Sequence, residues 1–224
     1  MAFFGPNPNF SEILQAQLLA NARMIVWRQG DSANTTTGSA IIDNSGGASL
    51  FTGATAGSVA VARLWTNLGQ TQLRSSSSNP SVINFARRVC VGGFFACTAR
   101  TTNGISRIQI GRDASLTTAA DLATRGFGIK IENDQVKIQT HNGTTLTNSS
   151  SVYTINSDNF WFLLNSDGAG NVSLWIDDVL VGTGTGGPTS AGSDGHNGFT
   201  CSATNGADSA VQRLLVGAVK VWLF

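Results

Sequence analysis

The chain has 224 residues, a formal net charge of +1 and only 12% charged residues, so it has no bulk attraction for nucleic acid or for an anionic membrane surface. Apolar residues reach 41%, too many for a disordered chain, yet no run is long and apolar enough to span a bilayer. Three cysteines, Cys90, Cys97 and Cys201, make an odd count without metal-ligand spacing, and no basic segment followed by an apolar core opens the chain as a secretory signal would.

Residues 1–8 (MAFFGPNP) are irregular by their glycine and prolines. Residues 9–23 predict the one good helix. Asn9 and Glu12 have the spacing of a capping box, and Phe10, Ile13, Leu14 and Leu18 form a stripe at helical spacing. A helix of this length is marginal alone in water, so Ile13, Leu14 and Leu18 must be buried. They either cover an end of their own domain or dock on a neighbouring subunit; the position ahead of the first strand, the Gly/Pro-containing tail and the narrow stripe favour the second, an assembly helix in a homo-oligomer or against other virion proteins. Two regions result: a tail and helical arm over 1–23, and a β-sandwich over 24–224.

From Met24 the pattern turns to strands, MIVWR, GSAIID, ASLF and SVAVARLW, with Asn-, Gly- and Ser-rich links. The serine run at 75–80 reads as a surface loop. The stretch from Val82 to Arg100 is longer than an ordinary strand, and Gly92-Gly93 in its middle predicts a bend or bulge. Cys90 and Cys97 are seven apart, so an unbroken strand points them to opposite faces. This predicts no bridge between them and a buried free thiol at Cys97. Asn103-Gly104 is a strong hairpin signal. A two-residue turn there would set Cys97 opposite Ile110, Ala99 opposite Ile108, Thr98 opposite Gln109 and Arg100 opposite Arg107.

In GFGIKIENDQVKIQTH, Phe127, Ile129 and Ile131 alternate with Gly128, Lys130 and Glu132. A two-residue turn at Asn133-Asp134 puts Ile131 opposite Val136, Ile129 opposite Ile138 and Lys130 opposite Lys137. FWFLLNS is an apolar run of the kind covered on both faces. The loop DGAGN then leads into Val172, Leu174 and Ile176, and Asp177-Asp178 makes a further tight turn before Val179 and Val181. The closing RLLVGAVKVWLF predicts a long final strand with Leu215, Val219, Val221 and Leu223 on one face. Trp27, Trp65, Trp161, Trp175 and Trp222 all fall in strand patterns, which assigns most of them to the core, although a sugar platform would also use one.

The order tryptophan-bearing strand, loop, strand, tight turn and short strand over FWFLLNSDGAGNVSLWIDDVLVG resembles laminin G-like and concanavalin A-like jelly rolls. The turn here is Asp177-Asp178, where that family usually has glycine second. The resemblance covers residues 126–224 well and the earlier chain only by strand rhythm. It implies an all-β, antiparallel jelly-roll sandwich, and its motifs are structural. Laminin G-like domains often hold calcium at a rim of loops, and DGAGN (167–171) and AGSDGHNG (191–198) supply oxygens in glycine-permissive loops. The same residues are ordinary turn formers, so calcium stays open and no other cofactor is expected.

Catalysis is poorly supplied. Glu12 and Glu132 are the only glutamates, and the strand of alternating acidic residues by which glycoside hydrolases of this fold resemble one another is absent. A two-carboxylate mechanism needs acids across one cleft, whereas Asp177 and Asp178 are neighbours in a turn. His141 and His196 fall in polar, loop-like contexts, and no nucleophile, phosphate-loop or zinc motif appears. The expectation is therefore a chain that is not an enzyme.

The informative feature is electrostatic. The registers above place Arg100 against Arg107 and Lys130 against Lys137, and like charges directly across a sheet are unfavourable by a few tenths to about 1 kcal/mol. Glu132, diagonal to Lys137, relieves part of this. The remainder predicts either a solvated basic face or a face that meets an acidic partner surface or an anionic glycan. Low charge, glycine- and threonine-rich strands and the missing export signal favour a virion surface or appendage protein. A carbohydrate-binding, lectin-like module, on a virion or extracellular, is the alternative.

Overall fold

The computed structural model of this chain describes residues 23–26, 32–43, 47–64, 83–113, 118–156, 159–190 and 197–224. The expected helix with Ile13, Leu14 and Leu18, the serine run, Trp27, Trp65 and His196 lie outside the described residues.

Two antiparallel sheets face each other. Sheet A runs β14 (Val179–Gly184), β13 (Val172–Ile176), β12 (Asn159–Ser166), β6 (Val89–Ala99), β16 (Arg213–Leu223), β4 (Ala48–Phe51) and β3 (Ile41–Asp43), and β1 (Arg23–Val26) pairs with the far end of β16. Sheet B runs β10 (Leu146–Asn148), β9 (Gln135–His141), β8 (Gly126–Glu132), β7 (Ile105–Asp113), β15 (Asn197–Thr204), β5 (Val59–Leu64) and β2 (Ser32–Thr37), and β11 (Tyr153–Thr154) also pairs with β9. The described residues contain no helix.

Alternation explains the layers. Ile108 and Ile110 on β7, Phe127, Ile129 and Ile131 on β8, Val136 and Ile138 on β9, and Phe199 and Cys201 on β15 are all buried toward sheet A. Val91, Phe95, Phe162, Leu164, Leu174 and Val216 meet them from sheet A. Phe95 stacks on Phe160 with ring centroids 5.1 Å apart and meets Phe162 edge-on at 5.9 Å. Each fully buried aromatic or aliphatic side chain of this kind contributes about 1.5–3 kcal/mol.

Two expected hairpins are present. Asn133 (φ 50) with Asp134 (φ 61), and Asp177 (φ 47) with Asp178 (φ 68), adopt the left-handed backbone of a two-residue turn that matches sheet twist. Ile131 then faces Val136, Ile129 faces Ile138, and Lys130 faces Lys137.

The third hairpin is not formed. β6 pairs with β12 on one side and β16 on the other, so no edge remains for β7, and the chain crosses at Asn103-Gly104 to the other sheet. The turn sits one residue earlier, with Gly104 N donating to Thr101 O at 3.1 Å. A Cβ on Gly104 would lie 2.3 Å from Gln212 Oε1, so this glycine serves close packing between the sheets. Cys97, Ala99, Thr98 and Arg100 consequently do not face Ile110, Ile108, Gln109 and Arg107; Ile110, Ile108, Gln109 and Arg107 instead face Phe127, Ile129, Gly128 and Lys130 across β8.

β6 is also unbroken at Gly92-Gly93, keeping register with β12 from Ala96 to Val89. The irregularity is in its neighbour, where β16 shifts register between Gly217 and Lys220 and Ala218 has φ 51. A Cβ on Gly93 would meet Gly217 O at 3.0 Å and Phe162 Cε1 at 3.2 Å. The bulge reverses the phase of β16, so Leu214, Val216, Val219 and Val221 form its core set while Leu215 is only partly buried. Cys90 and Cys97 occupy opposite faces of β6 as expected, and all three cysteines are buried free thiols. The polar strand β2 has no apolar alternation and was not foreseen.

Trp161 and Trp175 are not core. Both lie on the outer face of sheet A, where Trp161 is 37% exposed and packs edge-on against Phe94 at 5.8 Å. FWFLLNS is therefore covered on its outer face at Leu163 but not at Trp161.

Candidate functional site

The outer face of sheet B carries two aligned rows of polar side chains. Cross-strand partners give Ser202 (β15), Arg107 (β7), Lys130 (β8) and Lys137 (β9) as one row. Thr200, Gln109, Gly128 and Gln139 form the next, and Asn148 on β10 continues it. Each strand supplies them by alternation, because Phe199, Cys201, Ile108, Ile110, Ile129 and Ile138 occupy the opposite face.

Gly128 lets the second row close. A Cβ there would lie 2.3 Å from Ile108 O and 3.0 Å from Gln109 Cγ. Without that atom the Gln109 side chain crosses β8, and its Nε2 donates to Gln139 Oε1 at 2.7 Å. Gln139 Nε2 donates in turn to Asn148 Oδ1 at 2.9 Å.

Two carboxylates serve the row of cations. Asp121 accepts from Arg107 Nε at 2.7 Å and lies 3.5 Å from Lys130 Nζ. Glu132 accepts from Lys137 Nζ at 3.0 Å and lies 3.8 Å from Lys130 Nζ. Among the described residues of this row, three cations face two acids. Burial pushes the Asp121 carboxyl upward, but the Arg107 charge and hydrogen bond, the Gln139 bond and the Lys130 charge outweigh it and hold it below the usual carboxylate range. Glu132 is also held low, first by its bond from Lys137, against a smaller upward push from burial.

Below this rim the face is buried and incompletely satisfied. Arg107 is only 5% exposed. Arg107 Nη1, Gln109 Oε1, Thr200 Oγ1 and Ser202 Oγ are buried and make no hydrogen bond. These four atoms belong to two adjoining cross-strand pairs, Arg107–Ser202 and Gln109–Thr200, so they form one contiguous floor. The floor presents hydroxyls, an amide oxygen and a guanidinium N–H, a set that complements a ligand bearing both hydroxyls and an anionic oxygen.

Of the four cations singled out in the sequence, the fold brings together Arg107, Lys130 and Lys137. Arg100 lies elsewhere. It ion-pairs with Asp134 in the β8–β9 turn and donates to Cys97 O, so it never faces Arg107. Gln109, Gln139, Asp121, Thr200 and Ser202 were missed. The signal for Gln109, Gln139, Thr200 and Ser202 was the alternation of RIQ, KIQ and TCS, which is informative only once β7 is known to pair with β8 and β15; Asp121 lies outside any strand and carried none.

The other candidates serve turns. Asp167 Oδ1 accepts from Ala169 N and Asn171 N, and its Oδ2 accepts from Asn171 Nδ2 at 2.7 Å. Asp177 Oδ1 accepts from Trp161 N at 2.8 Å. His141 is not in a loop: it ends β9, is buried, and accepts at Nδ1 from Gly143 N at 3.0 Å. Residues 191–196 of the second glycine-rich loop lie outside the described residues.

No protein-family description matches the sequence, and no curated protein matches it. Solved structures do resemble the fold. One concerns cell entry of botulinum neurotoxin type C and its dependence on two ganglioside molecules (TM-score 0.55, 9% identity, 93% of this chain and 49% of that one). Another is the binding domain of botulinum neurotoxin DC in complex with SialylT (TM-score 0.52, 8% identity, 92% of this chain and 48% of that one). A third is an endo-β-1,4-glucuronan lyase from the fungus Trichoderma reesei (TM-score 0.51, 11% identity, 92% of both chains). This chain spans about half the length of the neurotoxin chains. At such identities the likeness establishes an all-β sandwich fold and nothing finer.

Proposed function

We propose that this chain is a non-catalytic carbohydrate-binding module whose ligand, a sugar carrying a carboxylate, sits on the outer face of sheet B. The observation that carries this reading is the buried, unpartnered floor of Arg107, Gln109, Thr200 and Ser202 beside the cationic row. Leaving a buried polar atom unsatisfied costs about 1–3 kcal/mol, so four in one patch are groups that a ligand reaching them would stabilise by partnering them. A sugar acid supplies the matching chemistry, with a carboxylate for Arg107 and hydroxyls for the amide and hydroxyl groups. Structural neighbours named for ganglioside and SialylT interactions support this reading. Of the two readings of the sequence, virion appendage and lectin, the polar face favours the lectin; a virion would be one place for it to act.

The test is a glycan array carrying sialylated, uronate-containing and neutral oligosaccharides, probed with the purified chain and with Arg107→Ala. Selective retention of acidic glycans, lost in the variant, is the expected result. Retention of neutral glycans alone, or equal retention by the variant, would overturn the site assignment. Release of unsaturated sugar products would overturn the non-catalytic part.

A further inference from the structure

The segment that precedes β8 bonds to the floor at several points. Ala120 O accepts from Gln109 Nε2 at 3.2 Å, Asp121 takes Arg107 Nε and approaches Lys130, and Leu122 N donates to Gln139 Oε1 at 3.1 Å. A carbonyl acceptor, a carboxylate and an N–H donor thus lie over three adjacent strands. A sugar acid offers the same three roles, with its carboxylate as the anion and its hydroxyls as acceptor and donor.

The engagement is incomplete in one respect. A carboxylate takes a guanidinium through two parallel bonds along one edge, either Nε with the terminal nitrogen beside it or the two terminal nitrogens; Asp121 is bonded through Nε alone, and Nη1, on another edge, is buried without a partner. The Asp121 side chain also keeps 30% of its surface in solvent. By contrast, the next residues are fixed: Leu122 is buried, a Cβ on Gly126 would lie 3.2 Å from its Cδ2, and Thr124 Oγ1 donates to Gly111 O at 2.9 Å.

We propose that residues 118–121 are a strap anchored at Leu122, and that the Asp121 carboxylate stands in for the carboxylate of the ligand until the ligand displaces it. This rests on the glycan reading above and adds a built-in competitor to it. An incoming carboxylate that takes one full edge of the Arg107 guanidinium makes two bonds where Asp121 makes one, which offsets part of the cost of displacing the strap. The competitor raises the ligand concentration needed for occupancy and penalises neutral sugars, which cannot replace a charge on Arg107.

The full chain and Asp121→Asn are titrated with a short oligoglucuronate by calorimetry, and hydrogen exchange of the 118–122 amides is followed in the wild type with and without the same sugar. The asparagine keeps the shape of the side chain and removes its charge. The expected results are affinity at least about tenfold tighter in the variant, the factor of 1.4 kcal/mol, and faster exchange at 118–121 on ligand binding. Equal or weaker binding by Asp121→Asn, or binding that leaves the strap as protected as before, would overturn the strap while leaving the glycan site standing. Absence of binding in both proteins would overturn the glycan reading itself, and the strap with it. The exchange experiment needs no substitution, so it decides the matter even if the variant folds poorly.

Discussion

Arg107→Met separates a residue kept for binding from one kept for stability. Methionine roughly preserves the buried stem and removes the charged head. The lost charge-assisted bond to Asp121 is worth about 1.5–3 kcal/mol. Against this, the variant removes the buried, unpartnered Nη1, itself costing about 1–3 kcal/mol, and relieves the like-charge contact with Lys130 opposite, by a few tenths to about 1 kcal/mol. Asp121 retains Lys130 and solvent, so it is not stranded. The opposing contributions nearly cancel, and we expect a net stability change within about 1.5 kcal/mol. At roughly 2–4 °C per kcal/mol for a chain of this size, melting followed by circular dichroism should move by less than about 6 °C. Binding of an acidic oligosaccharide should weaken by at least about 30-fold, because truncating one partner of a buried charge pair at an interface costs about 2 kcal/mol or more. A loss of more than about 3 kcal/mol of stability with binding intact would refute the reasoning and make Arg107 a structural residue.

Gly128→Ala should destabilise by about 1–3 kcal/mol, as overpacking does, and should weaken binding, since the new methyl would press on Ile108 O and on the path of Gln109; urea unfolding and glycan titration read the two effects. Native protein should resist thiol labelling, because burial pushes the Cys90 thiol up to about 12 and also raises Cys201; three labels should appear by mass spectrometry after denaturation, and rapid native labelling would contradict the burial. Asp121 and Glu132 are both held below their usual range in the folded state. Their contribution to stability is therefore complete above the unfolded carboxyl value near about 4 and lost as pH falls through the lower folded values. The melting temperature should drop over that acid window, and the drop should be smaller in Asp121→Asn.

What the sequence made legible was local. Asn133-Asp134 and Asp177-Asp178 tolerate positive φ, and the flanking alternation fixes each register within a few residues, so the Lys130–Lys137 pair could be placed without the fold. Asn103-Gly104 carries as strong a turn signal, yet β12 and β16 claim both edges of β6, and that competition comes from residues more than fifty positions away. The wrong partner for β7 in turn hid the site. With Arg107 assigned to Arg100, nothing aligned Gln109 with Gln139 or Arg107 with Ser202. The bulge at Ala218 was equally hidden, because its positive φ falls on an alanine rather than on a turn-forming residue, and the close approach of Gly93 to Gly217 O beside it is a contact between distant strands. Asp121 lies outside any strand and becomes meaningful only when Arg107 and Lys130 are neighbours.

The central claim is that an acidic glycan occupies the outer face of sheet B, and amide chemical-shift mapping during titration with a short oligoglucuronate tests it most directly. The account predicts perturbations clustered at Arg107, Gln109, Lys130, Gln139, Thr200 and Ser202, with the strap at 118–121 shifting alongside them. Shifts centred on Trp161, Trp175 and Leu180, on the outer face of sheet A, would contradict it.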